Sequence, residues 1–228
     1  MKLARPDVFH PRIVLAGCPH NVAGDPDDAG LVAALRHRGL HARWLSWDDP
    51  QTAGADLVIL RAARDYAERL DEFLAWTKSV TNLLNPPGIV AWNLDERHLQ
   101  DLADAGVPVL HRGPAQAALI FLQGQQSHAF TGTRPVEPEF DVWDVGYAAI
   151  AAAADHVGIE ARELLYARVD VHGGPGEARL VGLDLVAPSL GWRLLDADTR
   201  DRAQRQFALG VESACERLGL GPLSHRRP

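Results

Sequence analysis

The first 110 residues alternate short apolar runs with stretches of helical spacing, and this alternation limits the possible folds more than any other feature. The run RIVLAGC at 12–18 precedes a turn-rich stretch and then LVAALRHRGL, which has helical spacing. The runs HARWLSW and ADLVILR are predicted to be two further strands, and IVAW at 89–92 a fourth. Strands and helices that alternate in this way predict a parallel sheet covered by helices.

Two helices are predicted to accompany these strands. From Arg64 to Val80, apolar residues including Leu70 recur at steps of three and four, which places them on one helical face that packs on the sheet. Asp95 is predicted to cap a second helix, which runs to about Ala105 and ends before a glycine.

The second half of the chain has the pattern of antiparallel hairpins. ALIFLQGQQSHAF predicts a hairpin that turns at Gly124-Gln125, and TRPVEPEF predicts a loop. The clearest hairpin joins LLYARVDVH to ARLVGLDLV through the four residues GGPG. Helices are predicted over 144–157 and about 199–218. The fold class is therefore α/β, with a parallel-sheet domain at 1–112 and an α+β domain at 113–228.

Composition excludes several kinds of partner. Thirty acidic and 23 basic side chains give a net charge of -7, which would repel a nucleic acid. Cys18 and Cys215 are far apart and form no C-x-x-C motif, which fits a reducing cytoplasm. No apolar stretch approaches a membrane span, and charged residues and prolines interrupt the region before a lipoprotein-like tetrapeptide at 15–18. We expect a cytoplasmic protein that binds neither nucleic acids nor membranes.

The common catalytic motifs are missing from the sequence. The first strand–helix loop carries Asp25, Asp27 and Asp28 instead of G-x-G-x-x-G, and carboxylates there would repel a pyrophosphate. The histidines have no metal-site spacing except His37 and His41, which Gly39 separates, and there is no G-x-S-x-G elbow. A dinucleotide enzyme, a zinc hydrolase and a serine hydrolase are not indicated.

Four short motifs, in order along the chain, resemble those of ATP-grasp ligases of the glutathione-synthetase-like kind, near the cyclo-ligase group of cycloserine biosynthesis. The pair YARVD and LDLVAPSL resembles the metal-binding hairpin of these ligases. The segments RDYAERLDEF, WNLDERHL and SHA are similar to three upstream family elements. The resemblance implies a pre-ATP-grasp domain followed by an ATP-grasp subdomain, with ATP and Mg²⁺ as cofactors.

The resemblance also implies roles for individual residues. Asp170 and Asp184 would be metal ligands, and Arg168 would steady an acyl phosphate as the catalytic arginine. Arg97 and His128 would contact the cofactor. Four further residues are candidates for substrate binding: Asp25, Asp28, Asp65 and Asn93.

Several departures from the family pattern predict a reduced and degenerate member. The bridging glutamate of the second strand falls on Gly182, and the later glutamate-proline is Ala187-Pro188. Lysine is absent from three expected places: Glu96 stands at the first, Thr131 or Gly132 at the second, and the third is lost with its strand. Only sixteen residues, HRGPAQAALIFLQGQQ, span the region of the usual lid, which is too few to build it.

The candidate residues also have structural interpretations. Arg168 and Asp170 fit an ordinary cross-strand ion pair as well as a relic site. Asp65 fits the start of a helix, where a carboxylate meets the positive end of the dipole. The three aspartates of the first loop fit a solvated turn with an N-cap as well as an ammonium-binding loop.

Three functions are therefore under consideration. The first is a pseudoenzyme that requires neither ATP nor Mg²⁺ and binds another protein or a copy of itself, with Trp143 and Trp192 as anchors on a sheet face that the missing lid exposes. The alternative is an ATP- and magnesium-dependent carboxylate–amine ligase that a partner chain completes. A third is a small-molecule binding module in which Asp25, Asp28 and Asn93 face the ligand.

Overall fold

Two β-sheets organise the chain in a computed structural model that describes residues 9–221. The first sheet has four parallel strands in the order β2-β1-β3-β4, and the second has five antiparallel strands in the order β7-β6-β5-β8-β9. The strands are β1 Ile13–Gly17, β2 Ala42–Ser46, β3 Leu57–Ala62, β4 Leu83–Leu84, β5 Ala117–Leu122, β6 Gln125–Thr131, β7 Arg134–Val136, β8 Tyr166–His172 and β9 Arg179–Asp184.

Between residues 9 and 221, seven α-helices accompany the strands. Those of the first half are short, and the two long helices lie in the second half. They are α1 Leu31–His37, α2 Pro50–Ala53, α3 Leu70–Ser79, α4 Pro87–Asn93, α5 His98–Asp104, α6 Phe140–Val157 and α7 Ala197–Arg217. None of the helices within 9–221 combines the length and apolar character that crossing a membrane requires.

The predicted α/β class, with a parallel sheet followed by an antiparallel one, is confirmed. Every residue of β1 and β3 is buried, as expected of central strands with both faces covered. The division at 112/113 stays a prediction. One apolar cluster contains Leu15 and Leu31 from the first half together with Ile120 and Phe207 from the second.

The prediction of a strand at 89–92 was wrong. These residues lie in α4, and the fourth strand is the two-residue β4 before it. Pro86 has an extended backbone at the N-cap and Pro87 occupies the first helical turn, which favours a helix start. Periodicity cannot separate a short buried helix from a buried strand, and Ile89 and Val90 are fully buried.

The helix predicted over 64–80 is split. A 3₁₀ turn at Arg64–Ala67 precedes α3, and Arg69 lies between them with φ -132°. Leu70, which was predicted to face the core, is 38% exposed because it follows this break. Asp95 was predicted to cap the next helix, but α5 begins only at His98 and Arg97 is its N-cap residue. The Asp95 carboxylate instead accepts from the N–H of Arg97 in the preceding turn.

Both predicted hairpins are confirmed, with Gln123-Gly124 between β5 and β6 and 173–178 between β8 and β9. Part of the predicted loop at 133–140 instead forms β7. The predicted helices correspond to α6, which begins four residues earlier at Phe140, and to α7.

The second sheet is covered on both faces by this chain itself. Leu119, Phe121 and Val169 pack in a cluster with apolar residues of α6. On the other face, Ile120 and Tyr166 pack with Phe207 of α7 and with Trp192. The expected exposed sheet face is therefore absent within 9–221, and the tryptophans predicted as anchors are buried, with Trp143 7% and Trp192 0% exposed.

Candidate functional site

The β8–β9 hairpin aligns the residues that the sequence predicted to bind metal. Arg168 is opposite Asp184 and Asp170 is opposite Gly182, so all four share one face of the hairpin. Arg168 donates to Asp170, with 3.0 Å from Nε and 2.9 Å from Nη2 to the same carboxylate oxygen. The predicted ion pair therefore forms along one strand, with both side chains about three-quarters buried.

A cavity of about 300 Å³ opens beside this pair. Residues from four separate segments line it together with the hairpin: the loop that carries Asp27, the residues before and at the start of β5, the β6–β7 turn with the end of β6, and the segment after β9. Its polar lining includes Asp27, Gln116, Thr131, Thr133, Arg168, Asp170, Ser189 and Arg193.

Asp184 turns toward its own backbone. One carboxylate oxygen accepts from the N–H groups of Val186 and Ala187, at 3.0 and 3.3 Å. Burial raises the pKa of Asp184, and the charges of Arg168 and Arg61 only partly oppose this. The pKa of Tyr66 is also raised, first by burial and then by the negative charge of Asp184.

The residues of the hairpin do not fit a two-magnesium centre. Asp170 is engaged by a guanidinium and Asp184 by two backbone N–H groups, and the position between them is a glycine. A Cβ built on Gly182 would lie 3.6 Å from Asp170 Oδ2, so space for a side chain exists. Among residues 9–221, no three histidine, cysteine or carboxylate side chains are grouped to hold a metal ion. A pair of Mg²⁺ ions needs a shared oxygen ligand, and the hairpin offers two carboxylates whose Oδ1 atoms are already hydrogen-bonded, with no side chain at Gly182.

Replacing Asp184 with asparagine is expected to reduce the loss of folding stability that occurs as pH rises above the pKa of an unfolded aspartate. The raised pKa of Asp184 means that the folded state holds this proton more tightly than the unfolded chain, whose aspartate pKa is about 3.9. The wild-type protein therefore loses stability as pH rises from the unfolded value through the folded one. Asparagine does not titrate, and its amide oxygen can accept the same two bonds.

Urea unfolding from about pH 4 to about pH 8 measures this difference. We expect the stability of Asp184→Asn, relative to wild type, to improve as pH rises. If it worsened instead, the ionised form of Asp184 would be the one that the fold stabilises, and the burial argument would fail.

His128 lies at a different cavity, of about 610 Å³, which does not include the hairpin. Its Nε2 is 2.6 Å from the carbonyl of Leu190, and its Nδ1 is 3.0 Å from the Ser127 hydroxyl. Burial lowers the pKa of His128. A largely buried imidazole held between these partners positions the chain at Leu190, and its predicted contact with a cofactor stays a prediction.

Arg97 lies on the surface, and its side chain is 82% exposed. Its guanidinium pairs with Asp95, at 3.1 Å from Nε, and this pair lowers the pKa of Asp95 to about 2. Arg97 does not line the cavity beside Arg168. The structure therefore does not bring the two predicted cofactor residues together.

The three aspartates of the first loop have separate roles. Asp25 caps a 3₁₀ turn and pairs with Arg64 at 2.6 Å. Asp28 forms a fully buried ion pair with Arg61, at 2.8 Å. Its carboxylate faces the interior, where burial raises the pKa of Asp28.

Asp27 joins the two halves at the cavity. Its carboxylate accepts from the Ser189 hydroxyl at 2.9 Å and from the N–H groups of Gly191 and Arg193 at 2.8 and 3.0 Å. The sequence analysis did not single out Asp27, Ser189 or Arg193 as one group. Asp27 is more than 160 positions from these partners, so no local pattern in the sequence links them.

The side chains around Asp65 form a cluster of hydrogen bonds and ion pairs. Asp65 accepts from the indole N–H of Trp47 at 2.8 Å, and Arg69 donates to Asp48 at 2.6 Å. Arg69 also pairs with Glu72 and lies over the Trp47 ring, 4.4 Å from its centroid. The residues of this family-like element are thus engaged with one another, and Asp65 lies in a 3₁₀ turn with its carboxylate bonded to Trp47. Its predicted substrate role stays a prediction.

Asn93 is hydrogen-bonded to the backbone at the end of β9. Its amide donates to the carbonyl of Leu183 at 2.9 Å and accepts from the N–H of Leu185 at 2.7 Å. Asp184 lies between these two residues, so Asn93 fixes the backbone that carries it. Asn85 makes similar bonds to Leu165, Tyr166 and Leu185. The predicted substrate residue therefore acts on the site through the backbone.

One family model and one curated relative match part of this chain. The family model of the N-terminal domain of D-cycloserine synthetase DcsG matches residues 13–85. The cycloserine biosynthesis protein DcsG of Streptomyces lavendulae is 35% identical over 126 residues, which are 52% of this chain and 40% of that protein. The matched region thus spans two fifths of the length of this curated relative.

Solved structures share the fold. The crystal structure of D-cycloserine synthetase DcsG has a TM-score of 0.74 at 22% identity and covers 90% of this chain and 99% of its own. A RimK domain ATP-grasp protein from Sphaerobacter thermophilus has a TM-score of 0.59 at 12% identity, covering 87% and 98%. The ATP-grasp ligase PsnB, solved with a precursor variant, Mg and ADP, has a TM-score of 0.58 at 15% identity, covering 89% and 99%.

Proposed function

We propose that this chain is a degenerate member of the ATP-grasp superfamily, near the cycloserine group, that binds a ligand or partner without acting as a ligase. The ligases among its relatives are the reason to test catalysis at all. The residues at the β8–β9 hairpin are the reason to expect none.

The observation that carries this proposal is the state of the hairpin carboxylates. Asp170 accepts two N–H groups of Arg168, and Asp184 accepts two backbone N–H groups. Gly182, on the same face, supplies no ligand. These bonds all use Oδ1, so a cation would be left with the Oδ2 atoms of Asp170 and Asp184, beside the guanidinium of Arg168 and in a largely buried setting.

The cavity also lacks the positive charge that a triphosphate needs. Its lining contains two cations, Arg168 and Arg193, and two carboxylates, Asp27 and Asp170. No lysine lines it, and Lys78 lies in α3, outside the cavity. Phosphoryl transfer depends on concentrated positive charge around the phosphates, and a lining with balanced charges does not provide it.

The test of this proposal is calorimetry of the purified chain with Mg²⁺ and a non-hydrolysable ATP analogue. We expect no saturable heat, and no release of ADP when ATP is offered with amino acids as acid and amine. Asp170→Ala is the matched variant, because it removes the exposed-side carboxylate while leaving the buried Asp184 in place. Circular dichroism confirms that both proteins are folded.

The alternative is the ATP- and magnesium-dependent carboxylate–amine ligase completed by a partner chain, and one observation favours it. Arg168, Asp170 and Asp184 still share a face of the hairpin beside an open cavity. Saturable nucleotide binding that Asp170→Ala abolishes would replace our proposal with this one. A partner that supplies lysines would then restore ADP release.

Self-association remains part of the proposal, with a different surface from that expected from the sequence. Trp143 and Trp192 are buried, but Phe140 at the start of α6 is 82% exposed. Light scattering on the calorimetry sample measures the mass in solution. A monomer at micromolar concentration would leave a ligand or a different protein as the binding partner.

A further inference from the structure

Positive charge is concentrated at the edge of the parallel sheet where β1 and β2 begin. Five of the eight residues from 36 to 43 are basic or histidine and none is acidic, in a chain with a net charge of -7. They are Arg36, His37, Arg38, His41 and Arg43. Such a concentration at one edge, against the overall charge, requires a physical explanation.

The parallel register adds two more groups to this edge. Ile13 of β1 pairs with Ala42 of β2, which places the preceding His10 and Arg12 beside His41. The rings of His10 and His41 are in edge-to-face contact, with centroids 5.4 Å apart. A cavity of about 460 Å³ lies here, and its lining contains three arginines and both histidines but no acidic residue.

Arg38 pairs with Glu212, and within 9–221 the three arginines that line the cavity are only partly neutralised. Arg12 pairs with Asp56, and the nearest partner of Arg43 is the neutral side chain of Gln51, at 3.1 Å. Arg36 makes no ion pair within the part of the chain that the structure describes. The Nε2 atom of His10 is buried and has no hydrogen-bond partner. Buried polar atoms are normally satisfied, so this atom points to a missing partner.

Stabilisation of the α1 C-terminus explains only part of this arrangement. Arg36 and His37 occupy the last turn of α1, where cations interact favourably with the helix dipole. His10, Arg12, His41 and Arg43 lie in or next to strands, outside this helix. The dipole of a seven-residue helix therefore does not account for the cations that the strands contribute.

We propose that this cavity binds the phosphate group of a small molecule. Guanidinium groups match the planar pairs of oxygens of a phosphate, and imidazole N–H groups donate to the same oxygens. The three arginines that line the cavity come from different segments: Arg12 precedes β1, Arg36 lies in α1 and Arg43 in β2. The volume is within the range of small-molecule sites. This cavity shares no lining residue with the one beside Arg168, so the inference is independent of the proposed function.

The test is titration of the purified chain with inorganic pyrophosphate at constant ionic strength, followed by calorimetry and by the NMR signals of the histidine rings. Saturable binding is expected, with shifts of the rings of His10 and His41. Arg36→Gln and Arg43→Gln are each expected to weaken binding about tenfold, because each removes a charge-assisted hydrogen bond. Arg134→Gln, an exposed arginine of β7 outside the cavity, is the matched control and should bind as wild type.

Two variants keep the test sharp if one of them misfolds, since Arg36 and Arg43 lie on different elements. The proposal is overturned if the titration shows no saturation. It is also overturned if Arg134→Gln weakens binding as much as the cavity variants do, because the attraction would then be diffuse. Acetate that bound as tightly as pyrophosphate would likewise refute a phosphate site.

Discussion

Replacing Asp28 with alanine is expected to lower the free energy of unfolding by about 3–5 kcal/mol. Both side chains of the Asp28–Arg61 pair are 1% exposed, and two guanidinium nitrogens of Arg61 lie 2.8 and 3.0 Å from one oxygen of Asp28. The variant would leave the Arg61 charge buried without its ion-pair partner, beside the carbonyl of Pro188 and two aromatic rings. An unpaired buried charge costs far more than the pair contributes when intact.

Urea unfolding measures this loss, and Asp25→Ala is the matched control. Asp25 belongs to the same loop but pairs with Arg64, whose side chain is 54% exposed. Its loss should cost less than about 1.5 kcal/mol, as a partly exposed pair and cap. The double variant Asp28→Leu with Arg61→Met should recover part of the stability, because it removes both charges. Equal losses in Asp28→Ala and Asp25→Ala would contradict the burial of this pair.

Trp192→Ala is expected to destabilise the fold by about 3–5 kcal/mol, and not to act through association. Trp192 is 0% exposed and packs edge-to-face on Phe207 of α7, with ring centroids 5.6 Å apart. Its ring also lies beside Arg61, 5.7 Å from the guanidinium carbon. Alanine would leave a large cavity between the antiparallel sheet and α7.

Phe140→Ala is the control for this prediction, because Phe140 is a large aromatic residue that is 82% exposed in the same half of the chain. It should change the free energy of unfolding by no more than about 0.5 kcal/mol. Thermal and urea unfolding measure stability, and light scattering measures mass. A Trp192→Ala protein of unchanged stability but altered mass would return Trp192 to the role of an anchor.

The family-like elements of the first half act on the hairpin through the backbone. Asn93 bonds the residues on either side of Asp184, and Asn85 bonds the start of β8 and the end of β9. The hydroxyl of Tyr166 lies 2.6 Å from the carbonyl of Leu60 and 2.9 Å from that of Val186. The hydrogen bonds of Asn85, Asn93 and Tyr166 therefore fix the β8–β9 hairpin against the first half of the chain.

The sequence predicted the hairpins and the face that carries Arg168, Asp170 and Asp184. Strand pairing through a short glycine-rich turn is a local event, and a two-residue period places alternate side chains on one face. The same reasoning failed at 89–92, where a run of four buried residues has no period long enough to separate strand from helix. Pro86 and Pro87 favour the start of a helix at this point, and the chain forms α4.

Local patterns determined that this chain has a parallel sheet followed by antiparallel hairpins, and the resemblance to ATP-grasp ligases implied that Gly182 stands where those ligases carry a glutamate. Only the tertiary structure decided what covers the sheet, and so which tryptophans are buried. It also decided that Asp28 is paired with a buried arginine 33 positions away, while Asp27 is bonded to residues more than 160 positions away. Burial and ion pairing depend on segments that meet only after folding, and spacing along the chain does not encode which segments meet.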